Sequence, residues 1–291
     1  MFDLGIKNLD LYVTGKCNYC CEYCYGEDDT CGDMSETIYK AALKFGEYIC
    51  ADTIQLCGGE PLMCKEIAKY LEYTKAQGFN VVLRTNGVLL DKYLEVVANT
   101  CEWVGISIDG LPKENAVMRT AKGTMTPEEQ FEKPMRALWK LKEINPKIKI
   151  ILASVASRKN SQALPDFAKY LVEHNVPVDK WKVYEFIRDK FRSDKNYEAF
   201  EMTETEFHEL SEKIKKQMGN EMELILQSAH TERVNANCLI VNQKGDINLD
   251  GKNYGNVVSD EFETIVRKLL QDDVLAVISK NKEVTYGGNV K

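Results

Sequence analysis

The sequence predicts an α/β fold built on parallel strands. Six short apolar or β-branched runs alternate with segments of helical spacing in the first 190 residues. This alternation is typical of parallel strands joined by right-handed helical crossovers, in either an open doubly wound sheet or a barrel. With 291 residues, 44% of them hydrophobic, the chain is long enough to bury a core of that size.

The predicted elements follow one another in a regular order. The strands cover residues 9–13, 53–57, 81–84, 104–107, 148–154 and 181–187, and the helices between them cover 36–48, 67–76, 91–98, 127–142 and 163–173. Beyond residue 191 the pattern predicts a helix over 204–218, a hairpin whose strands are 239–241 and 247–249, and closing helices. We therefore predict a core over 1–190 and a C-terminal extension over 191–291.

Composition and charge narrow the class of protein. The formal charge of −7, without a stripe of Lys and Arg, argues against a nucleic-acid partner. The N-terminus lacks the pattern of a signal peptide, and no apolar run is long enough to span a membrane. We therefore expect a cytoplasmic protein without a membrane partner. Ten cysteines in that compartment indicate metal or redox chemistry rather than disulfides.

A cysteine cluster directly follows the first predicted strand. Residues 17–24 read Cys-Asn-Tyr-Cys-Cys-Glu-Tyr-Cys. Three thiolates from this segment would hold a four-iron cluster and leave one iron open to a ligand from outside the protein. A zinc knot is a weaker interpretation, because zinc modules separate their cysteine pairs by a dozen or more residues. An electron-transfer cluster with a fourth ligand elsewhere is the remaining alternative.

Polar or glycine-rich motifs also follow the later strands. Residues 57–61 (Cys-Gly-Gly-Glu-Pro), 85–87 (Thr-Asn-Gly) and 107–110 (Ser-Ile-Asp-Gly) each come where a strand ends, and Arg119 lies a little further on. The carboxyl ends of parallel strands meet at one edge of a sheet or one face of a barrel, where ligands bind. These motifs are therefore expected to share one site with the cysteines.

The spacing Cys-x3-Cys-x2-Cys, with Tyr23 before the last cysteine, resembles the signature of the radical S-adenosylmethionine (SAM) superfamily. The resemblance implies a 4Fe-4S cluster held by Cys17, Cys21 and Cys24, with SAM on the open iron; Cys20 falls outside the pattern. It further implies SAM contacts from Tyr23, Gly58, Gly59, Glu60, Pro61, Thr85, Asn86, Ser107, Asp109 and Arg119. It also implies a partial six-strand (β/α) barrel of TIM type, closed by the C-terminal extension.

The later part of the chain resembles viperin-like enzymes, which act on cytidine triphosphate or related nucleotides. The similar stretches are residues 154–160, 180–184 and 238–241, and Lys182 would correspond to a phosphate contact of that family. The chain departs from the family at residues 26–29, where an acidic run replaces a lysine-containing segment. It departs again at Ile151 and Ala153, which replace a lysine and an asparagine. These departures predict a changed substrate rather than a nucleoside triphosphate.

Cys238 stands where the viperin-like enzymes have a tyrosine near the substrate. A thiol there could donate a hydrogen atom to a substrate radical; the alternative is an inert buried cysteine. With a single cysteine beyond Cys101, we expect no second cluster.

The resemblance implies a radical SAM enzyme that cleaves SAM reductively and abstracts hydrogen from a nucleoside- or nucleotide-like small molecule. An electron donor of flavodoxin or ferredoxin type would serve it. A maturase that modifies a ribosomal peptide is one alternative function. A non-enzymatic iron-sulfur or zinc protein is another, from a different class.

Overall fold

The computed structural model describes residues 2–24, 26, 32–188, 196–218, 222–229 and 238–272. The acidic residues 27–29 and the closing residues 273–291 lie outside this part of the chain. The strands are β1 (Asn8–Thr14), β2 (Thr53–Gly58), β3 (Asn80–Thr85), β4 (Trp103–Ser107), β5 (Lys149–Ala156), β6 (Lys180–Glu185), β7 (Glu223–Gln227), β8 (Leu239–Val241), β9 (Asp246–Leu249) and β10 (Lys252–Asn256).

Helices connect these strands on one side of the sheet. They are α1 (Glu36–Tyr48), α2 (Ile67–Ala76), α3 (Leu94–Thr100), α4 (Pro112–Met118), α5 (Pro127–Ile144), α6 (Leu164–Glu173), α7 (Glu204–Met218) and α8 (Phe262–Leu270). Short 3-10 turns occur at Pro61–Met63, Leu90–Lys92 and Tyr197–Ala199. The α/β class predicted from the alternation of runs is confirmed.

The described strands form one sheet in the order β10-β9-β8-β1-β2-β3-β4-β5-β6-β7. Strands β1 to β7 run parallel, and β8 joins the free side of β1, also in parallel. Strands β9 and β10 continue from β8 as antiparallel neighbours. The sheet is a partial barrel, and the C-terminal part of the chain adds strands to both of its edges.

Side chains alternate between the two faces of the sheet with the period of a strand. On β1, Leu9, Leu11 and Val13 are fully buried on the face that meets the helices. Between them, Asp10 and Tyr12 point to the opposite face, which is the interior of the barrel. The main core therefore lies between sheet and helices, and the barrel interior carries polar groups.

Local signals account for the position of the longest helix. Thr126 and Glu129 form a capping box at the start of α5, in which each side chain bonds to the other residue's backbone N–H. Pro134 lies inside α5, and it packs close to Gly87, where a side chain would clash with the proline ring. This contact helps set the distance between α5 and the loop after β3.

Four elements differ from the sequence-based expectation. The predicted helix over 91–98 divides into a 3-10 turn and α3, because Tyr93 has a non-helical backbone (φ −128°). Helix α4 has only seven residues, too few for a clear periodicity. Strands β7 and β10 were not predicted; β7 continues the parallel sheet beyond β6, and β10 pairs with β9. Within the described residues, no helix is both long enough and apolar enough to cross a bilayer.

Candidate active site

The loop after β1 brings three cysteines to the carboxyl-terminal end of the barrel. Cys21 is buried, Cys17 and Cys24 are half-buried, and Cys20 is exposed. The loop is tied to a neighbouring one by backbone hydrogen bonds from Cys20 to Thr120 (2.8 Å) and from Lys122 to Asn18 (2.8 Å). Cys20, the cysteine outside the predicted cluster, is therefore both exposed and tied through its backbone to the neighbouring loop.

The sulfur atoms have an environment that suits thiolate ligands. The backbone N–H of Tyr19 donates to Cys17 Sγ and that of Gly26 donates to Cys24 Sγ, each at 3.4 Å. Hydrogen bonds of this kind stabilise sulfur that carries negative charge and tune iron-sulfur clusters. The donor set and its surrounding N–H groups fit a cluster held by three thiolates.

The free thiols are weakly acidic. Burial raises the pKa of Cys17 to about 11 and that of Cys21 to about 12. Iron binding must therefore displace protons from these thiols. Across the described ranges, no three His, Cys, Asp or Glu side chains are arranged as ligands of one metal ion. In a cluster each thiolate binds a different iron, so its ligands need not converge on one point.

The two glycines after β2 press against the backbone that leads to the cysteines. Gly58 has φ +134°, and a side chain on Gly58 or Gly59 would overlap the carbonyl oxygens of Thr14 or Lys16. Gly59 N–H donates to Thr14 (2.8 Å) and Glu60 N–H to Lys16 (2.7 Å). The missing side chains of these glycines make room for the neighbouring main chain.

Glu60 links the ends of β2 and β3. Its carboxylate, only 1% exposed, accepts hydrogen bonds from Thr85 Oγ1 (2.5 Å), the Asn86 N–H (2.7 Å) and the Leu62 N–H (3.2 Å). Burial raises the pKa of Glu60 above its ordinary value. Pro61 follows as the first residue of a 3-10 turn that Glu60 caps. Glu60 therefore holds the loops around it in place.

The loop after β3 is held to the cysteine loop. Asn86 Nδ2 donates to Asn18 Oδ1 at 2.7 Å, and its own Oδ1 accepts from the Val88 N–H at 3.0 Å. Thr85 Oγ1 accepts from the Gly87 N–H at 3.0 Å. Ser107 is half-buried at the end of β4, beside Ala153 of β5. The four predicted motifs therefore meet at one end of the barrel.

Tyr23, Asp109 and Arg119 form a closed triangle of hydrogen bonds. The Tyr23 hydroxyl donates to Asp109 Oδ2 at 2.5 Å, and Arg119 Nη1 donates to that hydroxyl (2.7 Å) and to the same carboxylate oxygen (3.1 Å). Asp109 is fully buried, and its other oxygen accepts from the Val155 N–H at 2.7 Å. The triangle joins the loops after β1 and β4.

One donor of Arg119 lacks an acceptor. Its Nε is buried and has no hydrogen-bond partner within the described chain. The guanidinium also lies over the ring of Tyr19, 5.8 Å from the ring centre. A buried N–H without an acceptor is costly, and a bound carboxylate would satisfy it.

The barrel interior holds polar and charged residues that the sequence-based reasoning missed. Asp10 of β1, Gln55 of β2 and Arg84 of β3 occupy inward-facing positions, as does Lys182 of β6, which is 4% exposed. Arg84 hydrogen-bonds to Tyr184. A signal was present in the sequence for two of them, because Asp10 and Gln55 each interrupt an otherwise apolar strand, whereas Arg84 stands at the end of one.

Cys238, just before β8, also belongs to this interior cluster. Its thiol shares a hydrogen bond with Asp10, and the charges of Arg84 and Lys182 act on it. Asp10 is an inward-facing residue of β1, so this hydrogen bond places the Cys238 thiol beside the interior. Ile151 and Ala153, where viperin-like enzymes have polar residues, are buried inward-facing residues of β5.

Comparison with known families identifies the fold and its chemistry. The model of the radical SAM superfamily matches residues 11–158. The chain belongs to the radical SAM superfamily. The matched region starts within β1 and ends just after β5, so it contains the cysteine loop, the Glu60 loop and the Tyr23 triangle. This radical SAM chain is therefore an enzyme of a family that uses SAM together with an iron-sulfur cluster.

Two relatives of this radical SAM chain act on nucleotides according to their names. An S-adenosylmethionine-dependent nucleotide dehydratase from Selenomonas ruminantium is 26% identical over 195 residues, which is 64% of this chain and 69% of the relative. A GTP 3′,8-cyclase from Chlorobaculum tepidum is 31% identical over 185 residues, 61% of this chain and 53% of the relative. The resemblance to viperin-like enzymes is thus confirmed at low identity.

A solved radical SAM structure shares the fold over nearly the whole chain. The enzyme anSMEcpe, solved with bound AdoMet and the Kp18Cys peptide, aligns with a TM-score of 0.72 and 16% sequence identity. The alignment covers 94% of this chain and 82% of anSMEcpe. The partial barrel predicted from the family resemblance is therefore confirmed.

Proposed function

We propose that this enzyme acts on a nucleoside- or nucleotide-like small molecule, with a 4Fe-4S cluster held by Cys17, Cys21 and Cys24. Together, cluster and SAM supply reductive cleavage of SAM to a carbon radical that removes a hydrogen atom from the substrate. The observation that carries the proposal is the group of three cysteines beside an Arg119 whose buried Nε lacks an acceptor.

The chain's own residues are assigned to hold SAM in a fixed orientation. Arg119 would donate from Nε to the SAM carboxylate, because its Nη1 is already occupied by Tyr23 and Asp109. The Asp109 carboxylate stabilises the positive charge of the Arg119 guanidinium and fixes its orientation. Tyr23 would lie against the adenine with its hydroxyl fixed by the same triangle.

The remaining assigned SAM contacts come from loops that Glu60 and Asn86 brace. Within the motif 58–61, the glycines and Pro61 set the path of the main chain, so backbone groups there would meet the SAM amino group. Thr85, Asn86 and Ser107 would reach the ribose and methionine parts. All of them belong to the carboxyl-terminal end of the barrel, where ligands of this fold class bind.

The substrate class rests on the relatives and on the barrel interior. Both named relatives act on nucleotides, and the interior offers the cations Arg84 and Lys182. Cys238 is assigned as a hydrogen-atom donor facing this space. A flavodoxin- or ferredoxin-type electron donor and a cytoplasmic location belong to the same proposal.

Anaerobic reconstitution with iron and sulfide tests the cluster assignment. The wild-type chain should bind about four irons and, with dithionite, convert SAM to 5′-deoxyadenosine. Cys17→Ala, Cys21→Ala and Cys24→Ala should each lose both properties. Cys20→Ala is the matched control, because this neighbouring cysteine is exposed and should be dispensable.

Two results would contradict the proposal. The first is a Cys20→Ala chain that loses its iron as fully as Cys21→Ala does. The second is a fully loaded wild-type chain that binds SAM no better than Arg119→Met does and forms no 5′-deoxyadenosine.

A further inference from the structure

The interior cluster consists of Asp10, Gln55, Arg84, Lys182 and Cys238. None of these residues is among the assigned SAM contacts. Arg84 of β3 lies across Gly105 of the neighbouring strand β4; a Cβ on Gly105 would be 2.6 Å from Arg84 Cδ and 3.0 Å from its Nε. The glycine therefore makes room for the arginine to lie across the interior. From there Arg84 bonds to Tyr184 on β6.

Two of the inward-facing residues between the two cations, Gly105 and Ala153, are small. Gly105 pairs with Arg84, while Ala153 pairs with both Ser107 and Lys182. Arg84 and Lys182 are close enough for the charge of one to act on the other, although three strand boundaries separate them along the sheet. The two side chains thus reach toward the same interior space.

Charged groups surround the two cations. Lys180 is paired with Glu223 at 2.9 Å and lies over the Trp103 ring, so its charge is offset. Asp10 offsets one further cation. Strand β5 adds the uncharged Ile151 and Ala153 to the same interior, so the cations Arg84 and Lys182 suit one anionic group better than three linked phosphates.

The uncharged amide of Gln55, in the same interior, also indicates a ligand. Gln55, 7% exposed, donates from Nε2 to Asp10 Oδ2 at 2.9 Å. That bond fixes the amide orientation, because the carboxylate needs a donor. The other end of the amide, Oε1, is buried without a hydrogen-bond partner in the described residues. A ligand O–H or N–H would satisfy it.

We propose that Arg84, Lys182 and Gln55 form the substrate subsite, and that it takes one anionic group, carboxylate or phosphate, beside a hydrogen-bond donor. The subsite deepens the proposed function and rests on it, since it selects a substrate with one anionic group over a nucleoside triphosphate. Burial and the cations Arg84 and Lys180 also lower the pKa of Lys182 to about 8, so a bound anion would relieve this repulsion.

Binding of small probes to the reconstituted, SAM-loaded enzyme tests the subsite by calorimetry. The probes are acetate, inorganic phosphate and tripolyphosphate. Acetate or phosphate should bind the wild type, and Arg84→Met and Lys182→Met should each weaken that binding by about tenfold or more. Which of the two binds more tightly distinguishes a carboxylate from a phosphate substrate. Lys149→Met removes the same charge from an exposed lysine paired with Asp179 and should bind the probes as the wild type does.

A second variant distinguishes an effect on the subsite from a loss of the fold. Gly105→Ala keeps every charge but displaces Arg84, so it should weaken probe binding several-fold while circular dichroism stays unchanged. Glycolate, which adds one hydroxyl to acetate, should bind more tightly than acetate in the wild type and equally in Gln55→Met. Equal binding of glycolate and acetate to the wild type would remove Gln55 from the subsite.

Two outcomes would overturn the subsite. One is tripolyphosphate binding more than about tenfold tighter than phosphate, which would indicate a polyphosphate site. The other is probe binding that is the same in wild type, Arg84→Met and Lys149→Met. The proposed function is judged separately, from 5′-deoxyadenosine formation in the same preparations, so either proposal can fail without the other.

Discussion

Tyr23 and Asp109, which are 86 residues apart in the sequence, share a hydrogen bond of 2.5 Å at the end of the barrel. Arg119 donates to both partners, so the three side chains act as one unit. The loop that carries the cysteines is thereby joined to the loop after β4. The geometry of the predicted cluster and that of the predicted SAM carboxylate contact are set together.

Tyr23→Phe removes the hydroxyl at the centre of this unit. We expect the free energy of unfolding to fall by about 1–3 kcal/mol, because Asp109 and Arg119 each lose a buried partner. SAM affinity should fall as well. Urea unfolding under reducing conditions measures the first effect. Tyr73→Phe, a half-buried tyrosine on α2, is the control, and an equal loss in both variants would contradict the role of the triangle.

Gly58→Ala should disturb the junction between β2 and the cysteine loop. The new methyl group would overlap the Thr14 carbonyl, and φ +134° is unfavourable for alanine, so we expect a loss of about 2–3 kcal/mol or more. Gly78→Ala is the matched control, because Gly78 also has positive φ (+89°) but open space around it. It should cost only about 1 kcal/mol. Similar unfolding midpoints for the two variants would refute the close approach.

Lys182→Met should change the pH dependence of stability. The folded pKa of Lys182, about 8, lies below the ordinary value of 10.5, so the unfolded chain binds more protons between these pH values. The wild type therefore gains stability from this group as the pH rises from about 8 to 10.5, by up to about 3 kcal/mol. The neighbouring groups whose charges shift the pKa of Lys182 are Arg84, Lys180, Glu223 and Cys238.

Lys182→Met lacks this pH-dependent gain in stability. The variant should therefore be more stable than the wild type at pH 7 and lose that advantage by pH 10. Urea titrations at several pH values measure the difference, and Lys149→Met gives the effect of removing a surface charge. A difference between Lys182→Met and wild type that is constant with pH would contradict the prediction.

Cys238→Ala tests the proposed hydrogen-atom donor. The thiol would give one hydrogen atom to a substrate carbon radical, breaking the S–H bond and forming a C–H bond. One electron from the external donor and one solvent proton would then restore the thiol. Because thiol protons exchange with solvent, the wild-type product made in D2O should carry deuterium at that carbon, detected by mass spectrometry. Should Cys238→Ala release the same product at the same yield, the cysteine is not the donor.

The sequence was sufficient to predict most elements of the barrel. All six predicted strands occur within a few residues of the expected bounds, because fully buried parallel strands give apolar runs that stand out between helices. Strands β7 and β10 were missed because each has only five residues and is bounded by polar ones. Their pairing with β6 and β9 is a tertiary contact that no local pattern records.

The residues at the end of the barrel were easier to predict than those inside it. Motifs such as 57–61 follow strands and are visible one at a time. Arg84 was not recognised as functional, because a charged residue at the end of a predicted strand is usually solvated. Its role depends on facing inward and on Gly105 of another strand, and both follow from the register of the sheet. Cys238 likewise meets Asp10 only because β8 lies beside β1.

The close approach of Arg84 to Gly105 also limits how this protein can have diversified. A methyl group at position 105 would displace the long side chain that crosses it, so the effects of substitutions at the two positions are coupled. Descendants with a larger residue at 105 are expected to carry a shorter one at 84, and with it a different substrate preference. Paired changes at these two positions would therefore mark the branches of the lineage where specificity shifted.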